Sequence, residues 1–183
     1  MVVARSAFTM IEMMVVIFLI GLVATITIPR IAYKAPQAEW KIVLDDLNNL
    51  AIFARQEAIS NQKIYRLTFK PNVKNPDTVA VEVEANDPEK PQKKIYLPVT
   101  GFYLNTQYEL HPSIKLRAFY HGKKEQINSG EGDTNCYIIP DGLVQDVVIH
   151  MSKTENNIET KSSFKMLPFY GKFELLDGFV HPE

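Results

Sequence analysis

The sequence predicts an α+β protein: one long N-terminal helix, transmembrane in its first half and amphipathic in its second, packed on an antiparallel β-sheet domain. Three observations predict it. Residues 8–28 read FTMIEMMVVIFLIGLVATITI, with Glu12 as the sole charge. Trp40, Val43, Leu44, Leu47, Leu50, Ala51, Ala54 and Ala58 then recur at intervals of three and four. From Lys63 onward, short alternating segments punctuated by Pro, Gly, Asn and Asp take over. These changes of texture divide the chain into a leader (residues 1–7), an apolar helix (8–28), its amphipathic continuation (29–62) and a strand-rich domain (63–183).

The apolar run is 21 residues long, and at about 1.5 Å per residue it reaches roughly 31 Å, enough to cross a hydrocarbon core. A secretory signal peptide fits poorly, because the run does not stop at the weak Ala24-Thr25-Ile26 site and carries an acid near its start. A buried soluble helix fits less well, since nothing along the segment is polar enough to face water. A plain anchor accounts for the length and leaves Glu12 unexplained. A carboxylate at the centre of such a segment costs about 2.5–3.5 kcal/mol on insertion scales. Glu12 lies one turn inside, so it either snorkels to the headgroups or serves assembly. Arg5 precedes the run, whereas Arg30, Lys34 and Lys41 follow it. Counting basic residues therefore does not favour a cytoplasmic amino terminus.

Past the span the helical period continues, with Asp45, Asp46, Asn48, Asn49, Arg55 and Gln56 between the apolar positions. Pro29 and Pro36 each remove a backbone donor and invite a bend, so the expectation is one long bent helix from about residue 8 to 60, stopping near Asn61. The apolar stripe is the face that packs on the domain.

Strand candidates in the second half are residues 65–69, 79–84, 94–99, 114–117, 136–139, 143–151, 164–167 and 172–175. Turn clusters separate them: Pro71-Asn72, Asn75-Pro76-Asp77, Asn86-Asp87-Pro88, Pro140-Asp141-Gly142 and Asp177-Gly178. Residues 86–94 and 122–135 read as polar loops. No second long helix is expected, and about 120 residues of short strands are enough for one core.

Nothing in the sequence resembles a catalytic motif, and no cofactor is expected. His111, His121, His150 and His181 are scattered, without metal-binding spacing, and there is no Gly-rich phosphate loop or nucleophile elbow. Glu131, Asp133, Asn135 and Asp141 are the weak candidates for an oxygen-ligand cation site, outweighed by an ordinary solvated acidic loop. The stretch Arg117-Ala118-Phe119-Tyr120-His121-Gly122-Lys123-Lys124 mixes basic and aromatic residues, yet a strand and hairpin turn explain it as well as a nucleic-acid patch does. The net charge of −1 becomes −2 without residues 1–7, too mild to argue for nucleic acid as a partner. Cys136 is the sole cysteine, which excludes an intramolecular disulfide and reads as a buried apolar strand residue.

The string Ala7-Phe8-Thr9-Met10-Ile11-Glu12-Met13-Met14-Val15-Val16, behind a short leader containing Arg5, resembles the start of a type IV prepilin or pseudopilin. The resemblance implies cleavage between Ala7 and Phe8 by a prepilin peptidase, methylation of the new Phe8 amine and a pilin-like fold. It also implies a cytoplasmic amino terminus, a single pass through the bacterial inner membrane and a periplasmic C-terminal domain. Glu12 falls at the fifth mature position, and Pro29 closes the apolar run, both as in that family. The family usually has Gly before the cut; here Ala7 stands there. A mature Phe8 amine would lie four residues from Glu12, so in a packed bundle Glu12 could pair with the amine of a neighbouring subunit, offsetting the cost of burying both.

The passage Leu50-Ala51-Ile52-Phe53-Ala54-Arg55-Gln56-Glu57-Ala58-Ile59, leading into Tyr65-Arg66-Leu67-Thr68-Phe69, is similar to the H-type minor pseudopilins of type II secretion and the related FimT-like minor pilins. Major type IV pilins often carry a disulfide, so the lone Cys136 leans towards a pseudopilin or minor pilin. The implied function is structural, not enzymatic: a subunit of a secretion pseudopilus, whose partners are other pilin-like subunits, the prepilin peptidase, the inner-membrane assembly platform and lipid. A type IV minor pilin for pilus assembly, adhesion or DNA uptake is the rival within the class. A membrane-anchored periplasmic binding or enzymatic domain is the rival outside it.

Overall fold

Two helices precede ten strands in the computed structural model, which describes residues 10–32, 35–90, 92–100, 105–126, 132–155 and 157–181, with only the backbone at 24, 26–32 and 35–37. The chain forms two compact units, residues 1–39 and 40–183. Helix α1 spans Met10–Ala32, and its sequence carries Glu12 in the first turn. It continues through Pro29, so that proline falls inside the helix and not at its end. Helix α2 spans Ala35–Asn61 with Pro36 as its second residue, where the missing N–H is one that an α-helix leaves unpaired in any case. The single helix expected from the sequence is thus described as two elements, and Tyr33 and Lys34 between them lie outside the described residues. At the end of α2, Gln62 takes a left-handed φ of 52° and returns its side-chain N–H to the Ile59 carbonyl at 2.8 Å, closing the last turn.

In the second unit, the strands are β1 (Tyr65–Lys70), β2 (Thr78–Asn86), β3 (Lys94–Pro98), β4 (Gln107–Glu109), β5 (Ile114–His121), β6 (Lys124–Glu125), β7 (Thr134–Ile138), β8 (Val147–Glu155), β9 (Ile158–Leu167) and β10 (Lys172–Asp177). They form two antiparallel sheets. Sheet A has the order β3-β2-β1-β7, with β4 also paired to β2; sheet B has the order β10-β9-β8-β5-β6. Each pairing joins residues whose alternation sends one set inward and the other outward: Leu67 and Phe69 of β1 are buried opposite Val81 and Val79 of β2.

Four segments differ from expectation. Strand β4 and the two-residue β6 are too short to show a period, and β6 with the start of β7 lies inside the supposed loop 122–135. The candidate 143–151 is divided: Val144 makes an isolated bridge to Ile138 after the Gly142 turn, and β8 begins only at Val147. Strand β9 starts six residues before the candidate 164–167, through the polar run Ile158-Glu159-Thr160-Lys161-Ser162-Ser163.

One core joins α2 to both sheets. Trp40, Val43, Leu47, Leu50, Ala51, Ala54 and Ala58 of α2 are buried in it, as their spacing predicts. Trp40 meets Phe164 of β9 with ring centroids 6.0 Å apart. Phe69 of sheet A contacts Phe119 at 5.5 Å and Phe173 at 6.5 Å, both from sheet B.

Side chains cap sheet B on the edge strand β10 and on the start of β5, which β6 does not reach. On β10, the Asn48 carboxamide of α2 accepts from the Phe173 N–H at 2.6 Å and donates to the Phe173 carbonyl at 3.2 Å, standing in for a neighbouring strand. On β5, buried Asp77 accepts from the Leu116 N–H at 2.7 Å and from Lys115 at 3.2 Å. A bulge between Leu116 and Ala118 breaks the register with β8 at this point. Capped backbone groups deny an unwanted strand part of its template.

Candidate functional site

The candidate site is the amino-terminal assembly motif. Ala7 and Phe8, expected to flank the cut and carry the methyl group, lie outside the described residues. Glu12 is described and exposed in the first turn of α1. A carboxylate there faces the positive end of the helix dipole. Around it the helix is apolar on every side: Met13, Val16, Ile17, Ile20 and Val23 are all exposed, and Phe18 is 68% accessible. A helix without a polar face is stable only inside a membrane or against other chains. The polar side chain of Thr25 is satisfied internally, its hydroxyl donating to the carbonyls of Gly21 and Leu22 at 2.9 Å each. Among the described residues no helix is long and apolar enough to cross a membrane, the described side chains of α1 ending at Thr25.

In the second unit, Arg55 near the end of α2 ties two turns together. Arg55 donates to the Gly142 carbonyl at 2.7 Å and to the Phe169 carbonyl at 3.4 Å, joining the turn before Val144 to the β9–β10 turn. Both turns need glycine. Gly171 has φ +63°, and a Cβ there would stand 2.6 Å from Cδ of Arg55; Gly142 has φ +80° and Ile59 at 2.8 Å. Above this frame Phe169 and Tyr170 are 77% and 72% exposed, with Ile59 and Leu143 also exposed.

Of the cation-site candidates, Glu131 lies outside the described residues and Asp133 is exposed. Asn135 accepts from the Thr68 hydroxyl at 3.0 Å across the β1–β7 pair, and Asp141 sits in the turn closed by Gly142 N–H to Ile139 O at 2.9 Å. Among the described residues no three His, Cys, Asp or Glu side chains group as a metal would require. The basic aromatic stretch is the β5–β6 hairpin, turning at Gly122 with φ +55°. Its residues face opposite sides: Phe119 is in the core, while Arg117 donates to Ser152 at 2.6 Å and pairs with Glu159 at 3.4 Å. Cys136 is fully buried, and burial, helped by Asp146, pushes its thiol far above the ordinary range, so it stays protonated.

The sequence did not bring out a cluster on sheet B. His150 and His181 stand with ring centroids 5.7 Å apart beside Tyr120 and Phe179. No spacing rule marks a pair 31 positions apart in the chain.

Residues 4–28 match the family described as the prokaryotic N-terminal methylation motif. No curated protein matches the chain in sequence. Two solved structures of the minor pseudopilin EpsH from the type 2 secretion system of Vibrio cholerae are similar in fold. The first is 13% identical with a TM-score of 0.55, covering 78% of this chain and 98% of that one. The second is 14% identical with a TM-score of 0.53, covering 78% and 96%. At this identity the likeness establishes the fold alone, an α+β pilin-like architecture like that of EpsH.

Proposed function

We propose that this chain is a minor pseudopilin, a structural subunit of a type II secretion pseudopilus that supports protein export. What carries the reading is a conjunction: a methylation motif over residues 4–28 and, in the same chain, the fold of EpsH. The exposed, all-round apolar α1 adds to it, because a single chain leaves that surface without cover. On this reading the precursor is cut between Ala7 and Phe8 by a prepilin peptidase, and Phe8 is methylated. Residues 8–28 hold the subunit in the bacterial inner membrane as a single pass, with the strand-rich domain in the periplasm. The inner-membrane platform then draws the subunit into a filament, where Glu12 meets the Phe8 amine of a neighbour. The protein performs no chemistry and needs no cofactor; its partners are other pilin-like subunits, the peptidase, the platform and lipid.

The test is the intact mass and amino-terminal sequence of the protein recovered from membranes, with and without an active prepilin peptidase. A chain starting at Phe8, one methyl heavier and found only with the peptidase, is expected. A chain that keeps residues 1–7 in both samples would refute processing and point to an ordinary anchored domain. Glu12→Ala is expected to leave cleavage intact and to reduce incorporation into filaments, with normal incorporation refuting the charge pairing. Ala7→Gly is expected to be cut at least as fast as the natural chain; slower processing would move the cut site elsewhere. Specific DNA binding by the full chain would favour a type IV minor pilin instead.

A further inference from the structure

After β10 the chain turns back over the outer face of sheet B. Val147, Ile149 and Met151 of β8 point into the core, so Val148, His150 and Ser152 point outward, yet His150 is only 2% exposed. What covers it is the segment 178–181. Ser163, directly opposite His150 across the β8–β9 pair, donates its hydroxyl to the Gly178 carbonyl at 2.7 Å and accepts from the Val180 N–H at 2.9 Å. His150 Nε2 lies 2.9 Å from the Val180 carbonyl, and since that oxygen can only accept, Nε2 carries the proton. The ring of Phe179 stacks on the imidazole at 4.5 Å with planes 2° apart. One cross-strand pair, His150 with Ser163, thus holds residues 178 and 180, and the Gly178 N–H adds a bond to the Lys161 carbonyl at 3.1 Å.

We propose that residues 178–181 form an acid-released strap: it closes over sheet B while His150 is neutral and lifts when His150 takes a second proton.

The surroundings of His150 decide the sign. Tyr120 of β5 packs at 4.9 Å, and its hydroxyl is pushed up first by burial and then by the nearby carboxylate of Glu125 on β6. His181 stands at 5.7 Å, and Lys161 of β9 lies over the Phe179 ring at 5.3 Å. A cleft of about 290 Å³ beside His181 is lined by Asp146 and Lys165. A charged imidazole would gain by stacking on Phe179, by a stronger bond to Val180 and from the acid Glu125. Against these stand the loss of hydration and, in acid, the like charge of His181. The losses prevail: burial, first, and His181 hold His150 below its ordinary value, while the Val180 bond and Glu125 only oppose them. With the strap lifted, water reaches the ring and the ordinary value of about 6.5 returns. The closed form then binds fewer protons than the open one, so closure is strongest above about pH 6.5 and weakens as the pH falls through and below it.

The experiment uses the full chain in detergent micelles, with hydrogen–deuterium exchange of the C-terminal peptide and an NMR titration of the imidazole C–H groups. After division by the intrinsic pH dependence of an unstructured peptide, protection of the Val180 amide should fall between pH 7.5 and 5. The fall should approach about tenfold for each unit separating the pKa of the closed and open forms. His150→Gln keeps a neutral N–H donor and should leave that protection independent of pH, whereas Ser163→Ala should lower it at every pH. A His150 that titrates at or above 6.5, or Val180 protection that does not follow its titration, would overturn the proposal. Those two readings come from the unaltered chain, so the proposal stands or falls on them even where a variant does not fold.

Discussion

Replacing Asn48 by alanine isolates the clamp between α2 and the edge of sheet B. Its carboxamide makes two hydrogen bonds to one backbone position, Phe173, at 2.6 and 3.2 Å. Each bond is worth about 0.5–1.5 kcal/mol net, so their loss costs about 1–3 kcal/mol. Phe173 is buried, 4% exposed, so the orphaned N–H and C=O recover little hydration, which places the cost in the upper half of that range. Alanine is the better helix former and returns a few tenths of a kcal/mol. Asn49→Ala supplies the correction, since the neighbouring Asn49 is exposed and carries the same propensity gain without the clamp. Equilibrium urea unfolding of the full chain in micelles, followed by Trp40 fluorescence, reads the difference, because Trp40 is buried against Phe164 in the same interface. Asn48→Ala should be less stable than Asn49→Ala by about 2 kcal/mol, or some 4–8 °C in Tm for a chain of this size. Asn48→Asp refines the test: it keeps an acceptor for the Phe173 N–H but sets an oxygen against the Phe173 carbonyl. That variant should be no better than alanine at pH 7 and should regain stability relative to it below about pH 4, where the protonated acid can donate. A difference between the two alanine variants below about 0.5 kcal/mol would refute the clamp.

Two further outcomes are expected. Glu82, nearly buried, is pushed up by desolvation, but bonds from Arg66 at 2.6 Å and Lys70 at 3.1 Å, with help from Thr68, hold its carboxyl below the ordinary value. A depressed folded-state pKa stabilises the protein above the unfolded value near 4.5, and the gain is lost as pH falls through the folded value. Glu82→Gln should therefore flatten the acid limb of the stability curve below that point; an unchanged limb would show that Glu82 titrates as it does in the unfolded chain. Gly171→Ala should cost more than Gly122→Ala. Both glycines have positive φ, a strain of about 1–2 kcal/mol for alanine, but only at Gly171 does the added methyl strike Arg55, while the space at Gly122 is open. Equal losses in thermal unfolding would show that the close approach of Arg55 costs nothing.

Much of this architecture was legible in the sequence, and what was not has a physical reason. The stripe from Trp40 to Ala58 named the buried face of α2, because a helix with one wet side must sort its residues by a period of 3.6. Asn61 marked its end, although the residue that turns the chain, Gln62, belongs to a type rarely found at positive φ. Strands β1, β2 and β5 alternate because one of their faces meets the core. The first six residues of β9 escaped detection because Ile158, Glu159 and Lys161 are exposed and the burial that follows is not apolar: Ser163 is fully buried, yet what covers it is backbone from residues 178–180, which asks for a hydroxyl and not a hydrocarbon. His150 escaped for the same reason, being held by a carbonyl 30 positions away. The Asn48 clamp joins positions 125 apart, and no periodicity reports such a contact. The motif at residues 4–28 is of the opposite kind. It can be read without a fold because its pattern is local: Arg5 ahead of an apolar run and an acid, Glu12, one turn inside it. Local chemistry and periodic burial leave marks in a sequence; contacts between polar groups distant in the chain do not, and the acid-released strap and the Asn48 clamp are both built from such contacts.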